Sequence, residues 1–185
     1  NLLEKTRHFD YRRFWIESMC CAAATRFVLK ASGRKDLTGV FAAGLLHDIG
    51  RLALAEVAPA LCARIPTGLE GDELLAAEAH AIGVIHTEAG YELAQHWRLP
   101  DEVAEPIRFH HNPGQATKAQ EEVAVIALAS AMARAEGASL EENRSIFERN
   151  AVCLAILGLD LEGAEAMLDD YLSRRDGAIR DVLSG

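Results

Sequence analysis

The chain has 185 residues, half of them hydrophobic but only 6% aromatic. This length suits one domain, or one domain with an appendage, and a core so poor in aromatics must be built mostly from Ala and Leu, which favours packed helices over sheet. With 19 basic against 28 acidic residues, the net charge of −9 argues against a nucleic-acid partner, and no Lys/Arg cluster offsets it.

Asp10 is placed to cap a long helix over 11–30, stopped by Ser32-Gly33, with Phe14, Ser18, Cys21, Ala22, Thr25, Val28 and Leu29 at helical spacing and Glu17 on the border of that face. Asp36 caps a second helix over 37–47 that is apolar on nearly every side, the pattern of a buried helix. A short helical piece then runs to Ala58, ahead of Pro59, and residues 66–72 read as a loop. Helix resumes over 73–81 and again over 84–97, where Ile85, Ala89, Leu93 and Trp97 form a stripe with His86 beside it.

Pro100-Asp101-Glu102 opens the next helix, which ends at His110-His111-Asn112-Pro113-Gly114. A long helix over 120–136 carries Val123, Ile126, Ala127, Ser130 and Arg134 along one side, and Gly137 ends it. The tail reads as helices over 141–157 and 161–172 and a short terminal piece. No stretch alternates as a strand should, so the fold is expected to be all-α.

The cysteines, Cys20, Cys21, Cys62 and Cys153, form neither a Cys-x-x-Cys pair nor a disulfide framework. A reducing cytoplasm is expected. No signal peptide is visible, and no apolar run approaches the ~20 residues a membrane-spanning helix needs. Asn1-Leu2-Leu3 lacks both an initiator Met and a cap, so the chain is expected to begin inside a longer polypeptide.

The stretch that organises the chain is Gly44-Leu45-Leu46-His47-Asp48-Ile49-Gly50, an apolar run leading into an adjacent imidazole and carboxylate. Burying that pair is costly unless a metal or a closed hydrogen-bond network compensates it. Histidine recurs at inward-facing helix ends: His47 with Asp48, then His86, then His110 with His111. Imidazole and carboxylate suit Zn, Mn, Fe or similar divalent ions, and a helical core is where such side chains meet.

Plainer roles stay open beside that one. His47 and Asp48 can satisfy each other, neighbouring helix ends or His110, and His86 can be a packed core histidine. His111 can cap a helix C-terminus as an imidazolium. Trp15 and Trp97 read as core anchors, Glu88 and Glu92 as a solvated face, His8 and His96 as surface residues, and Cys20 and Cys21 as core.

Taken together, Phe14-Trp15-x-x-Ser18, the Gly44–Gly50 stretch, His86-x-Glu88-x-Gly90, Trp97-x-Leu99-Pro100 and His110-His111-x-Pro113 resemble the HDOD domain, over residues 10–135. The resemblance implies an HD-superfamily helical bundle, similar to the metal-dependent HD phosphohydrolases and the HD-GYP cyclic-dinucleotide phosphodiesterases. HDOD members themselves are regarded as signalling or regulatory output modules without demonstrated catalysis. An active HD site uses a first-helix His, the His-Asp doublet and a later Asp on a long helix. Here the doublet is intact as His47 and Asp48, Glu17 stands at the first position and Ser130 at the last. The additional His positions of the binuclear enzymes match His86, His110 and His111, and Asn112-Pro113-Gly114 stands where a Gly-Tyr-Pro motif would follow.

Glu17 can still ligate a cation, but a neutral Ser130 hydroxyl brings no charge. The resemblance therefore implies a non-catalytic module with a partial site for a divalent ion (Zn, Mn, Fe, Mg or Ni). The alternative is a phosphohydrolase in which Glu17, His47, Asp48, His86 and His110 hold the ion. Expected partners are signalling proteins, attached sensor or receiver domains, or a second copy in a homodimer. The HDOD-like domain is expected over 1–137, with 138–185 a helical extension packed on it.

Overall fold

The computed structural model describes residues 9–34, 37, 39–135 and 140–184, the side chains of 140–143 and 182–184 apart. The elements are α1 (Tyr11–Ala31), α2 (Val40–Leu46), α3 (Ile49–Val57), α4 (Pro59–Cys62), α5 (Gly71–Ala81), α6 (His86–His96), α7 (Asp101–Phe109), a 3-10 turn at Pro113–Gln115, α8 (Gln120–Arg134), α9 (Leu140–Arg149), α10 (Ala151–Leu157) and α11 (Leu161–Ser184). No strand forms among the described residues, and the fold is all-α.

α1 starts where the Asp10 carboxylate accepts the Arg13 N–H at 2.9 Å, satisfying one of the free donors of a helix start. Its inner face buries Phe14, Cys21, Ala24 and Val28 against α8, α2 and α11. The helix buried all round is α8, where every residue from Val123 to Met132 is inside. α2 is instead half-exposed, with Phe41 at 44% accessibility. The difference is one of position: α8 is enclosed by α1, α2, α7 and α10, and its many alanines let those helices approach closely.

Glu105 serves α8 from a distance: its buried carboxylate accepts the N–H groups of Lys118 and Ala119 at 2.9 and 2.8 Å, just ahead of the helix start. Arg34, beyond the end of α1, donates to the carbonyls of Ile156 and Leu157 at 2.9 and 2.7 Å and to Glu121 at 2.9 Å. One guanidinium thus joins α1, α8 and the C-terminal end of α10. α11 lies along α1, with Tyr171 edge-on to Phe27 and its hydroxyl donating to the Cys20 carbonyl.

Several boundaries differ from the sequence reading. α6 begins at His86, after Gly83 turns the chain with φ +86°. The 141–157 segment breaks at Asn150, whose side chain bonds back to the Ile146 carbonyl and competes with the helical ladder. Conversely, 161–184 is a single helix that passes through Gly177, with Ala178 buried in the next position. Trp15 and Trp97 are exposed by 41% and 49%, so neither anchors the core; Trp15 stands edge-on to the buried Phe14 ring. Cys20, Cys21 and Cys153 are buried as expected of small apolar side chains. Asp36 and His8 lie outside the described residues.

The crossing of α3 and α6 fixes the geometry of everything that follows. A Cβ on Gly50 would stand 1.8 Å from the His86 carbonyl oxygen and 2.6 Å from the Gly90 nitrogen, and one on Gly90 would stand 2.7 Å from Ile107 Cγ2. The two helices touch backbone to backbone, which only glycine allows. That contact sets His86 beside the residue pair that ends α2. Gly50→Ala is expected to cost at least ~3 kcal/mol of stability by denaturant unfolding, because a main-chain oxygen cannot step aside. Gly114→Ala is the control, since nothing lies within 4 Å of its Cβ position. Equal stability of the two variants would contradict this crossing.

Candidate metal centre

Asp48 follows α2 and precedes α3, and its buried carboxylate is the hub of the site. Oδ1 lies 3.3 Å from His86 Nε2 and 3.4 Å from His110 Nε2, while Oδ2 lies 3.1 Å from Arg51 Nη1 and 3.7 Å from His47 Nε2. Asp48, His86, His110 and His111 offer ligand atoms that all lie within 4.8 Å of one another. The His110 and His111 rings are 4.2 Å apart between centroids, and those of His86 and His111 are 5.2 Å apart.

The second nitrogen of each ring shows why these residues suit an ion. His110 Nδ1 lies 3.1 Å from the carbonyls of Pro106 and Ile107, and His86 Nδ1 lies 2.8 Å from Glu78 Oε2. Nδ1–H donation there turns Nε2 toward Asp48. Neither Nε2 has an aligned hydrogen-bond partner, although both are buried. Two unpaired imidazole nitrogens facing one carboxylate make a donor set for a divalent cation. A nitrogen-rich set of this kind favours Zn, Mn, Fe or Ni over Mg. The residues therefore fit an ion.

His47 stands apart from that group of four. Its Nδ1 donates to the Gly44 carbonyl at 2.8 Å, and its Nε2 is 3.3 Å from Ser130 Oγ. Arg134, one turn beyond Ser130, donates to the same Oγ at 2.7 Å. The hydrogen bonds run in one direction, from Arg134 to Ser130 to His47 to Gly44. Ser130 therefore occupies the nitrogen that His47 would give to an ion.

Glu17 is also engaged elsewhere, 2.6 Å from Arg13 Nε and 3.6 Å from Arg51 Nη1. It lines a cavity of about 230 Å3 that also meets Asp48, Arg51, Glu78, His111 and Arg134. Of the residues singled out from sequence, the structure gathers Asp48, His86, His110 and His111. It sets His47 and Ser130 beside them, and it ties Glu17 to arginines.

Glu78, Arg51 and Arg134 were not assigned a part in the site by the sequence reading. Glu78 gives no local signal, because its partner His86 lies on the next helix, beyond the turn at Gly83. The other two were within reach: Arg51 sits at i+3 from Asp48 and Arg134 at i+4 from Ser130, both neighbouring positions on a helix. His96 and Glu92 are surface residues as expected, and Glu88 faces Arg108 at 3.3 Å.

Burial sets the charges. It pushes His47 down to about 4 and His111 to about 2, with neighbouring charged groups adding to the effect on His111. Burial thus favours a neutral His111 ring in the cluster over the imidazolium helix cap that the sequence left open as one of its roles. His110 is also lowered by burial, against the pull of Asp48. Burial opposes charge on His86 too, but the Asp48 and Glu78 carboxylates beside it prevail and raise it to about 9. Asp48 would be raised by burial, yet the rings of His47, His110 and His86 hold it well below the usual carboxylate range.

These shifts act in opposite directions on stability. His86, raised from 6.5 to about 9, contributes stability that is complete below pH 6.5 and lost as pH climbs through 9. His47, lowered from 6.5 to about 4, contributes stability present above pH 6.5 and lost as pH falls through 4, with His110 and His111 acting alike. The chelator-treated protein should therefore melt highest close to pH 6.5. His86→Gln should flatten only the alkaline side of a Tm-against-pH profile, and an unaltered alkaline side would refute the assignment.

The HDOD domain profile matches residues 1–113. An uncharacterised protein of Treponema pallidum (strain Nichols) is 30% identical over 109 residues, which are 56% of this chain and 21% of that protein, so the chain spans about a fifth of that relative. A crystal structure from Shewanella amazonensis SB2B, provisionally assigned as a phosphohydrolase, is 25% identical with a TM-score of 0.67, covering 88% of this chain and 61% of that one. The MmoQ response regulator of Methylococcus capsulatus str. Bath shares the fold at 22% identity and a TM-score of 0.62, over 89% of this chain and 63% of its own. With the motif order, the helical architecture and the buried His–Asp centre in agreement, the chain belongs to the HDOD domain family.

Proposed function

We propose that this chain is a regulatory output module on a degenerate HD scaffold, acting through protein–protein contacts and not through catalysis. The observation that carries this reading is the Arg134–Ser130–His47 chain of hydrogen bonds. In the resemblance to active HD sites, position 130 holds a carboxylate that binds an ion. Here it holds a hydroxyl that occupies the His47 nitrogen and takes a hydrogen bond from a guanidinium. The substitution removes one negative charge, and Arg134 places a positive one beside it.

Arg51 works in the same direction, because it already pairs with Asp48 Oδ2. An ion in the remaining group of one carboxylate and three imidazoles would stabilise the fold by mass action and polarise whatever touched it. The chain's own residues would hold that ion without the His47 and far-carboxylate ligands of the hydrolases. Partners in this reading are other signalling proteins, an attached sensor or receiver domain, or a second copy. The signalling assignment of the MmoQ neighbour is consistent with such a role.

A second reading, a metal-dependent phosphohydrolase with an altered ligand set, is favoured by the unpaired Nε2 atoms of His86 and His110. Activity assays separate the two. Protein loaded with Mn or Zn should leave nucleotides, cyclic dinucleotides and bis-p-nitrophenyl phosphate unhydrolysed. Ser130→Asp should tighten Mn binding by ~10-fold or more, read by calorimetry, because it restores a charged oxygen ligand. Metal-dependent turnover by the unaltered chain, lost in His47→Ala, would overturn the output-module reading.

A further inference from the structure

α5 is attached to the rest of the protein in an unusual way. Among its eleven residues, Glu78 is the one that is buried. Leu74 and Leu75 are half-buried, and the remainder of the helix faces outward or lies at the rim. Glu78 Oε2 accepts from the His86 backbone N–H and from His86 Nδ1, both at 2.8 Å, across the turn at Gly83.

Three things meet in that one oxygen. α6 has no side-chain cap from its own N-cap residue, Ile85, so Glu78 supplies one from the preceding helix and brings negative charge to the helix start. The same oxygen fixes the His86 ring, whose Nε2 points at Asp48. And Glu78, with Gly71 and Leu74, forms the α5 wall of the cavity that opens onto Asp48 and Arg134.

We propose that Glu78 couples the His–Asp centre to α5: it orients His86 toward an ion and is the anchor that holds α5 over the cavity. The orienting half rests on the ion-binding reading of the centre. An ion on Nε2 pins the imidazole from one side while Glu78 pins it from the other, so the ring, the carboxylate and α5 become one rigid unit. A centre inside the protein thereby changes the order of an exposed helix. An output module needs such a link, because a partner can touch α5 and cannot touch Asp48.

The test uses the full chain, hydrogen exchange read by mass spectrometry, and Co2+ titration read by visible absorption. Glu78→Ala should speed exchange over residues 71–82 by tenfold or more while residues 120–134 keep their protection. Glu78→Gln keeps an acceptor oxygen and should hold α5 nearly as well, yet bind Co2+ about tenfold more weakly, the usual effect of losing a partner behind a ligating His. In the unaltered chain Co2+ should slow exchange over 71–82 further.

Wild-type exchange over 71–82 in Glu78→Ala would overturn the anchoring role. Wild-type Co2+ affinity in Glu78→Gln would overturn the orienting role and leave Glu78 a merely structural cap. An unaltered chain that takes no Co2+ would sink the ion reading and the orienting role with it, while the anchor would still be decided by metal-free exchange. Should Glu78→Ala lose protection over 120–134, Glu78→Gln and its Co2+ affinity decide.

Discussion

The buried carboxylate of Asp48 is the constraint around which the rest is arranged. An anion removed from water is tolerated only if positive or donating groups surround it. Arg51 from the next turn of α3 and His86 from α6, which the carboxylates beside it keep charged, supply them, while the rings of His110 from the end of α7 and His47 from the end of α2 close the remaining sides. Each lies on a different element, so satisfying one side chain requires four segments to be in place together. The glycine crossing between α3 and α6 is what brings them within reach.

In the proposed reading, the balance of charge around that anion sets this centre apart from a hydrolytic one. In a hydrolase the excess of carboxylate and imidazole is neutralised by metal. Here much of the neutralisation is built into the chain, through Arg51 on Asp48 and Arg134 on Ser130. Those built-in cations hold the Asp48 and Ser130 side chains in place from within the chain. On the proposed reading, what is given up is the strong field that would sharpen a bound water into a nucleophile. This supports a part in which the centre governs conformation.

Much of this was legible in the sequence, and the parts that were not share a cause. Helix periodicity gave the all-α architecture, because local spacing encodes which side of a helix faces inward, and it was the resemblance carried by the ordered motifs that implied a common site for His47, Asp48, His86, His110 and His111. Contacts between distant segments carry no such local record. Glu78 sits on a helix whose large apolar residues are Leu74 and Leu75, and only the turn at Gly83 folds it back onto His86. The same blindness made Trp15 and Trp97 look like core residues, since hydrophobicity does not reveal which large rings end at a rim. It also hid α8 as the fully enclosed helix, for enclosure depends on how many neighbours surround a segment and not on its own pattern.

The joint made by Arg34 shows how the C-terminal helices stay registered on this frame. Its bonds to the Ile156 and Leu157 carbonyls depend on main chain and not on which side chains those positions carry. Substitutions in α10 that keep it helical thus leave the clasp intact. The surface of this corner can therefore be reshaped for new contacts without loosening its attachment to α1 and α8.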